Sequence, residues 1–311
     1  MLAYLLRRFW QTILTLALMS ALVFVGVYHI GNPADILVSA QATPEEYDLF
    51  VKNMGLDKPM WEQYGTFMAK LVHGDLGNSF VYNEPAVDLI FRRLPATLEL
   101  TFAAMIIAVA LGIPLGIYAG LRPKAWLSRI IMTGSIMGFS LPTFWIGLMM
   151  VMVFAVHLGW LPASGRGEAF SIDGLRHLIL PAVNLALFKI SLVIRLTRAG
   201  VMESLLMDYV RFARAKGLTE TRVVVVHVLK NTLIPLVTVL GLELGNLIAF
   251  AVVTETIFAW PGMGKLIIDS IAVLDRPVIL AYLLIVVVMF SLINLVVDIL
   301  YSVIDPRVRF E

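Results

Sequence analysis

Residues 208–235 read DYVRFARAKGLTETRVVVVHVLKNTLIP. Just upstream and within this stretch, Met202, Leu205, Tyr209 and Ala213 recur at helical spacing, while Glu203, Arg211, Arg214 and Lys216 fall on other positions. Gly217 is placed to take the left-handed conformation that closes a helix. Thr219 or Thr221 is placed to cap the next helix, which runs through Val223–Val226, His227 and Lys230 toward Pro235. The stretch is therefore a charged helix–Gly–helix hairpin set between very apolar segments. A small-residue face of Ala213, Ala215 and Gly217 lets another protein's backbone come close, and the basic residues suit acidic groups on that partner. The outline also matches a DNA-reading helix–turn–helix, but apolar spans flank it within a few residues. Lying on anionic lipid is a secondary role for such a basic helix. A plain solvated loop fits poorly with so ordered a pattern of cap, Gly and periodicity.

Working outward, hydrophobic residues make up 59% of the 311 and charged residues 15%, with a mean hydropathy of +0.88. Soluble domains carry roughly 45–50% apolar and about 25% charged residues, so lipid is the solvent for part of this chain. The absence of cysteine excludes disulfides, thiolate metal sites and a Cys nucleophile. Six apolar segments, near 9–30, 98–120, 129–158, 178–197, 233–257 and 278–301, reach the length of about 20 residues that a bilayer requires. The third is overlong and contains Pro142, which predicts a kink or a break. The first follows Arg7 and Arg8 and outruns a signal-peptide core of about 7–15 residues, so it reads as a permanent anchor.

An even number of spans puts both termini on one side. Arg7, Arg8, Arg122, Lys124, Arg129, Arg195, Arg198, Arg211, Arg214, Lys216, Arg222, Lys230, Arg307 and Arg309 gather with the termini, the 121–128 turn and the 198–232 loop. The short loops opposite carry Arg166, Arg176, Lys265 and Arg276. The bias places both termini and the hairpin in the cytoplasm. The long outer loop, 31–97, is structured: Thr43-Pro44-Glu45-Glu46 is a capping box with Pro at the first helical position, and Gly55 is set to end that helix. A second helix starts at Pro59 and stops near Gly74. The expectation is one all-α membrane domain over 1–311 with six transmembrane helices.

Catalytic signatures are missing. Gly264-Lys265 lacks both the first Gly and the hydroxyl of a phosphate-binding loop, and the five histidines (29, 73, 157, 177 and 227) are scattered without metal-ligand spacing. No covalent chemistry, cofactor or metal is expected of this chain. Ionisable residues inside a bilayer are costly and therefore mark function. Lys189 and Glu243 sit at similar depth, roughly 12–15 Å from the inner ends of their spans, and are expected to pair in the bundle interior or along a path. Glu255, just before the helix-breaking FAWPGMG, marks an outer gate. Pro142 and Trp145 mark a hinge or a packing bend in span three. Asn184 and Asn246 either bond between helices or line the path. No duplication of a secondary carrier, polar-faced channel span or cluster of nucleophiles stands out.

ARAKGL at 213–218 followed by HVLKNTLIP at 227–235 closely resembles the coupling loop of permease subunits of binding-protein-dependent ABC importers, specifically the dipeptide/oligopeptide/nickel family. GLDKP at 55–59, GDLGNS at 74–79, LPATLEL at 94–100, SLPTFWIG at 140–147, ETIFAWPGMG at 255–264 and VVDILYSVIDPRVR at 296–309 agree in order across nearly the whole chain. The acidic position of that loop falls on Arg211. The resemblance implies a type I importer permease fold and a partner set: a second homologous permease subunit, two ATP-binding subunits that hold ATP and Mg, and a soluble substrate-binding protein. Membrane lipid surrounds it and nucleic acid has no part. It also implies that Asp208 to Leu218 couple to the ATPases, with Ala213 and Gly217 in closest contact, Arg211, Arg214 and Lys216 as charged contacts, and Tyr209 and Ala215 on the same element. The implied cargo is di- or oligopeptides, with nickel, glutathione, opines or oligosaccharides as the alternatives.

Overall fold

The computed structural model describes residues 2–38, 42–168 and 171–304. Among the described residues the architecture is helical, with a single isolated bridge between Asn78 and Pro85. Among the described residues five helices are long and apolar enough to cross a bilayer, or six spans result if the bent pair Trp126–Gly138 and Thr143–His157 makes one. Arg307 and Arg309, the last of the charges read as cytoplasmic, lie outside the described residues.

By its internal contacts the chain forms two compact units: Met1–Thr97 with Pro261–Leu292, and Leu98–Trp260 with Ile293–Glu311. In the first unit, α1 (Leu2–Ile30) is followed by a short turn of helix, α2 (Ala34–Leu37), and by the amphipathic helices α3 (Pro44–Asn53) and α4 (Met60–Val72). Both halves of the capping box at Thr43 and Glu46 are made, and Gly55 and Gly74 take positive φ values of 65° and 79°. Helix α4 packs on α1: the Tyr64 hydroxyl is 3.1 Å from Ser20 Oγ, and Phe24 meets the rings of Tyr64 and Phe67. Asp275 is fully buried and accepts hydrogen bonds from Ser79 Oγ at 2.5 Å and the Phe80 amide at 3.1 Å. This ties the GDLGNS loop to the segment between α12 (Met263–Ala272) and α13 (Arg276–Ile304).

One boundary differs from expectation. Helix α5 runs Ala86–Leu121, so residues 86–97 are helix continuous with the second span rather than loop. Asp88, Arg92 and Arg93 lower the hydropathy of its first turns, and the apolar window therefore opens later than the helix does.

In the second unit the rest of α5 meets α8 (Ile172–Leu206) through small residues. A Cβ at Gly112, Gly116 or Gly120 would lie 2.6–2.8 Å from side-chain carbons of Val193, Thr197 or Val201. Four-residue spacing of glycine lets backbones approach where lipid gives no hydrophobic drive between helices. The third apolar segment is broken, as Pro142 predicts. Leu141, ahead of proline, is forced to an extended ψ of 138°, and this ends α6 (Trp126–Ser140); α7 (Thr143–Met150) restarts beyond it and passes into a π-helical stretch, Val151–His157. After α8 come α9 (Asp208–Ala215), the single turn α10 (Glu220–Arg222), a π-helical stretch over Val223–Val228 and α11 (Leu229–Ile257).

Candidate functional site: the hairpin and the polar centre of the second unit

Helix α8 stops at Leu206 because Met207 is extended, with ψ 146°. Helix α9 then ends in a complete Schellman motif: Gly217, at φ 76°, donates to the Arg214 carbonyl at 2.9 Å, and Leu218 donates to that of Ala213 at 3.4 Å. Thr219 stands at the cap of α10, but its hydroxyl makes no capping bond. One stripe of α9 is internal. Val210 and Ala213 are buried with Val201, Val223 and Val228, and Ile117, Leu205 and Leu218 pack against them.

This corrects one reading of the hairpin. Ala213, expected on the face that a partner touches, is 4% exposed and serves the chain's own core. Arg214, expected as a partner contact, reaches Glu220 with Nε at 2.7 Å and Nη2 at 3.2 Å and closes the hairpin on itself. Those hydrogen bonds hold the Glu220 carboxyl below its usual range and the Arg214 guanidinium above its own. The exposed residues here are Asp208, Tyr209, Arg211, Phe212, Arg214, Ala215, Lys216 and Gly217, with Arg214 engaged by Glu220. Phe212, which lies within Asp208–Leu218 but is not singled out by the sequence pattern, is 62% exposed, and the Lys216 ammonium lies 4.6 Å from its ring centre. The signal in the sequence is a Phe among the charged residues of a helix, beside the more conspicuous small residues. Arg211 contacts Asp208 at 3.5 Å on the helix surface.

Within the bundle, Lys189 on α8 and Glu243 on α11 form an ion pair, their side chains only 9% and 19% exposed. Asn246 Nδ2 donates to the other Glu243 oxygen at 3.3 Å. Three expected residues thus make one polar centre. Asn184 belongs to a second: its Nδ2 donates to Thr254 Oγ1 at 3.3 Å, while its buried Oδ1 has no partner. Gly147 on α7 lies against it, since a Cβ there would be 3.2 Å from Nδ2. Pro142 and Trp145 join neither set among the described residues; Pro142 caps α7 and Trp145 is 46% exposed.

Glu255 is completely buried, and its carbonyl accepts from the Trp260 amide at 2.8 Å, folding the WPG turn over the end of α11. The turn is held by contacts that sequence reasoning missed. Arg166 binds Glu99 with Nε at 2.8 Å and Nη2 at 2.5 Å and lies over the Trp260 ring, while the Gly165 amide donates to the Phe258 carbonyl at 2.9 Å. Glu99 is a carboxylate inside an apolar span, the same signal that singled out Glu243. No group of three or more His, Cys, Asp and Glu side chains suited to a metal ion occurs among the described residues.

The chain as a whole is similar to known proteins. Residues 112–310 match the family described as binding-protein-dependent transport system inner membrane component, and residues 1–101 match its N-terminal counterpart. The chain is 40% identical over 333 aligned residues to a dipeptide transport system permease protein of Alkalihalophilus pseudofirmus, and 39% identical over 338 to that of Escherichia coli, each covering 100% of both chains. It is also 40% identical over 312 residues to a glutathione transport system permease protein of Escherichia coli, again over 100% of both. Among solved structures, an inward-facing MetNI methionine ABC transporter matches in fold with a TM-score of 0.58 at 20% identity, over 70% of this chain and 96% of that one.

Proposed function

From the membership of this chain in the family of binding-protein-dependent transport system inner membrane components, we propose that it is the permease subunit of an ABC importer that carries short peptides inward. The observation that supports this most directly is the end-to-end similarity to dipeptide transport permeases at 39–40% identity. On this reading the chain pairs with a second permease subunit, two ATP-binding subunits and a soluble binding protein. Both termini and the hairpin face the cytoplasm. ATP and Mg are held by the partner ATPases, and this chain performs no covalent step.

The free face of α9 is the ATPase contact, with Phe212 and Tyr209 inserted and Arg211 and Lys216 at the rim. Movement of α9 is carried by its buried stripe to α8, which continues unbroken from Leu206 back to Lys189, a distance of about 25 Å. The Lys189–Glu243–Asn246 centre ties α8 to α11 and makes them tilt together. Pro142, Trp145, Asn184 and Glu255 belong to the path or its gate; the break at Pro142 gives α7 freedom to swing, and the WPG turn over Glu255 closes the far end.

Glutathione is a second reading carried by a specific observation: the 312-residue alignment with the glutathione permease is almost gap-free against a 311-residue chain, whereas the dipeptide permeases need 333 or 338 columns. The test is uptake by proteoliposomes holding the complete transporter and its binding protein, with labelled dialanine and labelled glutathione supplied separately. ATP-dependent dialanine uptake supports the first reading and glutathione-only uptake the second. Uptake of neither, with another solute carried instead, would overturn both.

A further inference from the structure

The first unit contains a cavity of about 430 Å³ between the outer half of α1, α4, the GDLGNS loop and the start of α13. Its size falls within the range of small-molecule sites. The wall includes Phe24, Phe67 and Leu280, and the rim includes the exposed Lys58, Lys70 and Asp75. Arg276 lines the same space. Its Nη2 donates to the Gly31 carbonyl at 2.6 Å and its guanidinium lies over the Tyr28 ring at 5.3 Å, but its buried Nε has no partner. No carboxylate forms a salt bridge with Arg276 among the described residues. The adjacent Asp275 spends its oxygens on Ser79 and Phe80.

A half-buried guanidinium without a counter-charge is an expensive arrangement. The cavity beside it has room for the missing anion. We propose that this cavity binds the C-terminal carboxylate of a short peptide, with Arg276 as its partner and Lys58 and Lys70 drawing it in. Asp75, the cavity's one acidic lining residue, suits the peptide's ammonium group, and the aromatic wall accepts a side chain. The exposed polar rim and the mixed signs favour a water-borne zwitterion over the phosphate of a membrane lipid. The inference rests on the peptide-importer reading and deepens it: the permease has its own station for substrate in the first unit, apart from the path in the second.

The experiment uses the complete transporter in nanodiscs, without binding protein or nucleotide, and equilibrium dialysis of labelled dialanine against its C-terminal amide. The expected result is saturable binding of the acid that weakens at least about tenfold for the amide and for Arg276→Gln, the loss of one charge-assisted contact. Arg276→Lys recovers part of it. Because Arg276 also holds Gly31, the exposed Lys58→Gln and Lys70→Gln provide a second readout, each weakening the acid by a smaller factor without touching the fold. Equal binding of acid and amide, or unchanged binding in an assembled Arg276→Gln complex, overturns the proposal, as does competition by glycerol phosphate alone, which points to a lipid headgroup. Dialanine uptake in proteoliposomes separates the two readings. Uptake without nanodisc binding removes this site and leaves the importer; absence of peptide uptake removes the importer reading itself.

Discussion

Two of the ion pairs in the second unit, each joining a basic side chain to a glutamate, stand in opposite surroundings. Arg214 and Glu220 close the hairpin with side chains 42% and 66% exposed, whereas Lys189 and Glu243 join α8 to α11 at 9% and 19%. In water the first pair exchanges one set of hydrogen bonds for another and contributes little. In the bundle the second pair has no water to fall back on, so each charge is tolerable only because of the other. Position, not residue type, turns a surface contact into a structural requirement. The same contrast separates shaping from docking in the hairpin: its inner stripe and Arg214 fix its form, and its outer face remains available.

The largest expected effect is at the buried pair. Lys189→Met or Glu243→Gln alone strands one charge and should cost about 3–5 kcal/mol, read as a lower thermal-unfolding midpoint in detergent and lost transport. The apolar double variant Lys189→Met with Glu243→Leu should recover most of that stability, and exchanging the two charges should restore part of the transport. A double variant as damaged as either single would remove the coupling between α8 and α11. Next in size is Phe212→Ala. As an exposed aromatic anchor it should weaken association with the ATP-binding subunits by about 2 kcal/mol while the unfolding midpoint of the isolated chain stays put; co-purification yield against salt concentration measures this, and an unchanged yield would return the docking role to the small residues.

Gly217→Ala follows. A Cβ at φ 76° costs about 1–2 kcal/mol, and no atom lies within 4 Å of it, so the strain is in the backbone alone. ATPase stimulation by substrate should fall more than stability does; Gly217→Asn, which tolerates this conformation, should retain most of it. The smallest effect belongs to Glu220. Its carboxyl is held below the ordinary value of 4.5 by the Arg214 hydrogen bonds. The stabilisation is therefore fully present above that ordinary value and is lost as pH falls through the lowered one. Exchange protection of α9 and α10, with the intrinsic base-catalysed rate divided out, should be flat from about pH 5 to 8 and fall only in stronger acid, and Glu220→Gln should abolish the acid step.

Much of this protein is determined by local sequence. The spans follow from runs of apolar residues that only lipid can solvate, the caps at Thr43 and Gly217 from hydrogen bonds and φ preferences that act within one turn, and the break at Pro142 from a steric clash with the residue before it. The pairing of Lys189 with Glu243 was legible because both charges are too costly to be buried alone at similar depth. The tertiary structure decided the rest. The periodicity of α9 cannot say which stripe meets its own bundle, and so Val210 and Ala213 turned inward while Phe212 stayed free. Glu99 with Arg166, and Ser79 with Asp275, lie 67 and 196 residues apart. Contacts at such separations depend on how the helices are packed, and no local preference encodes them.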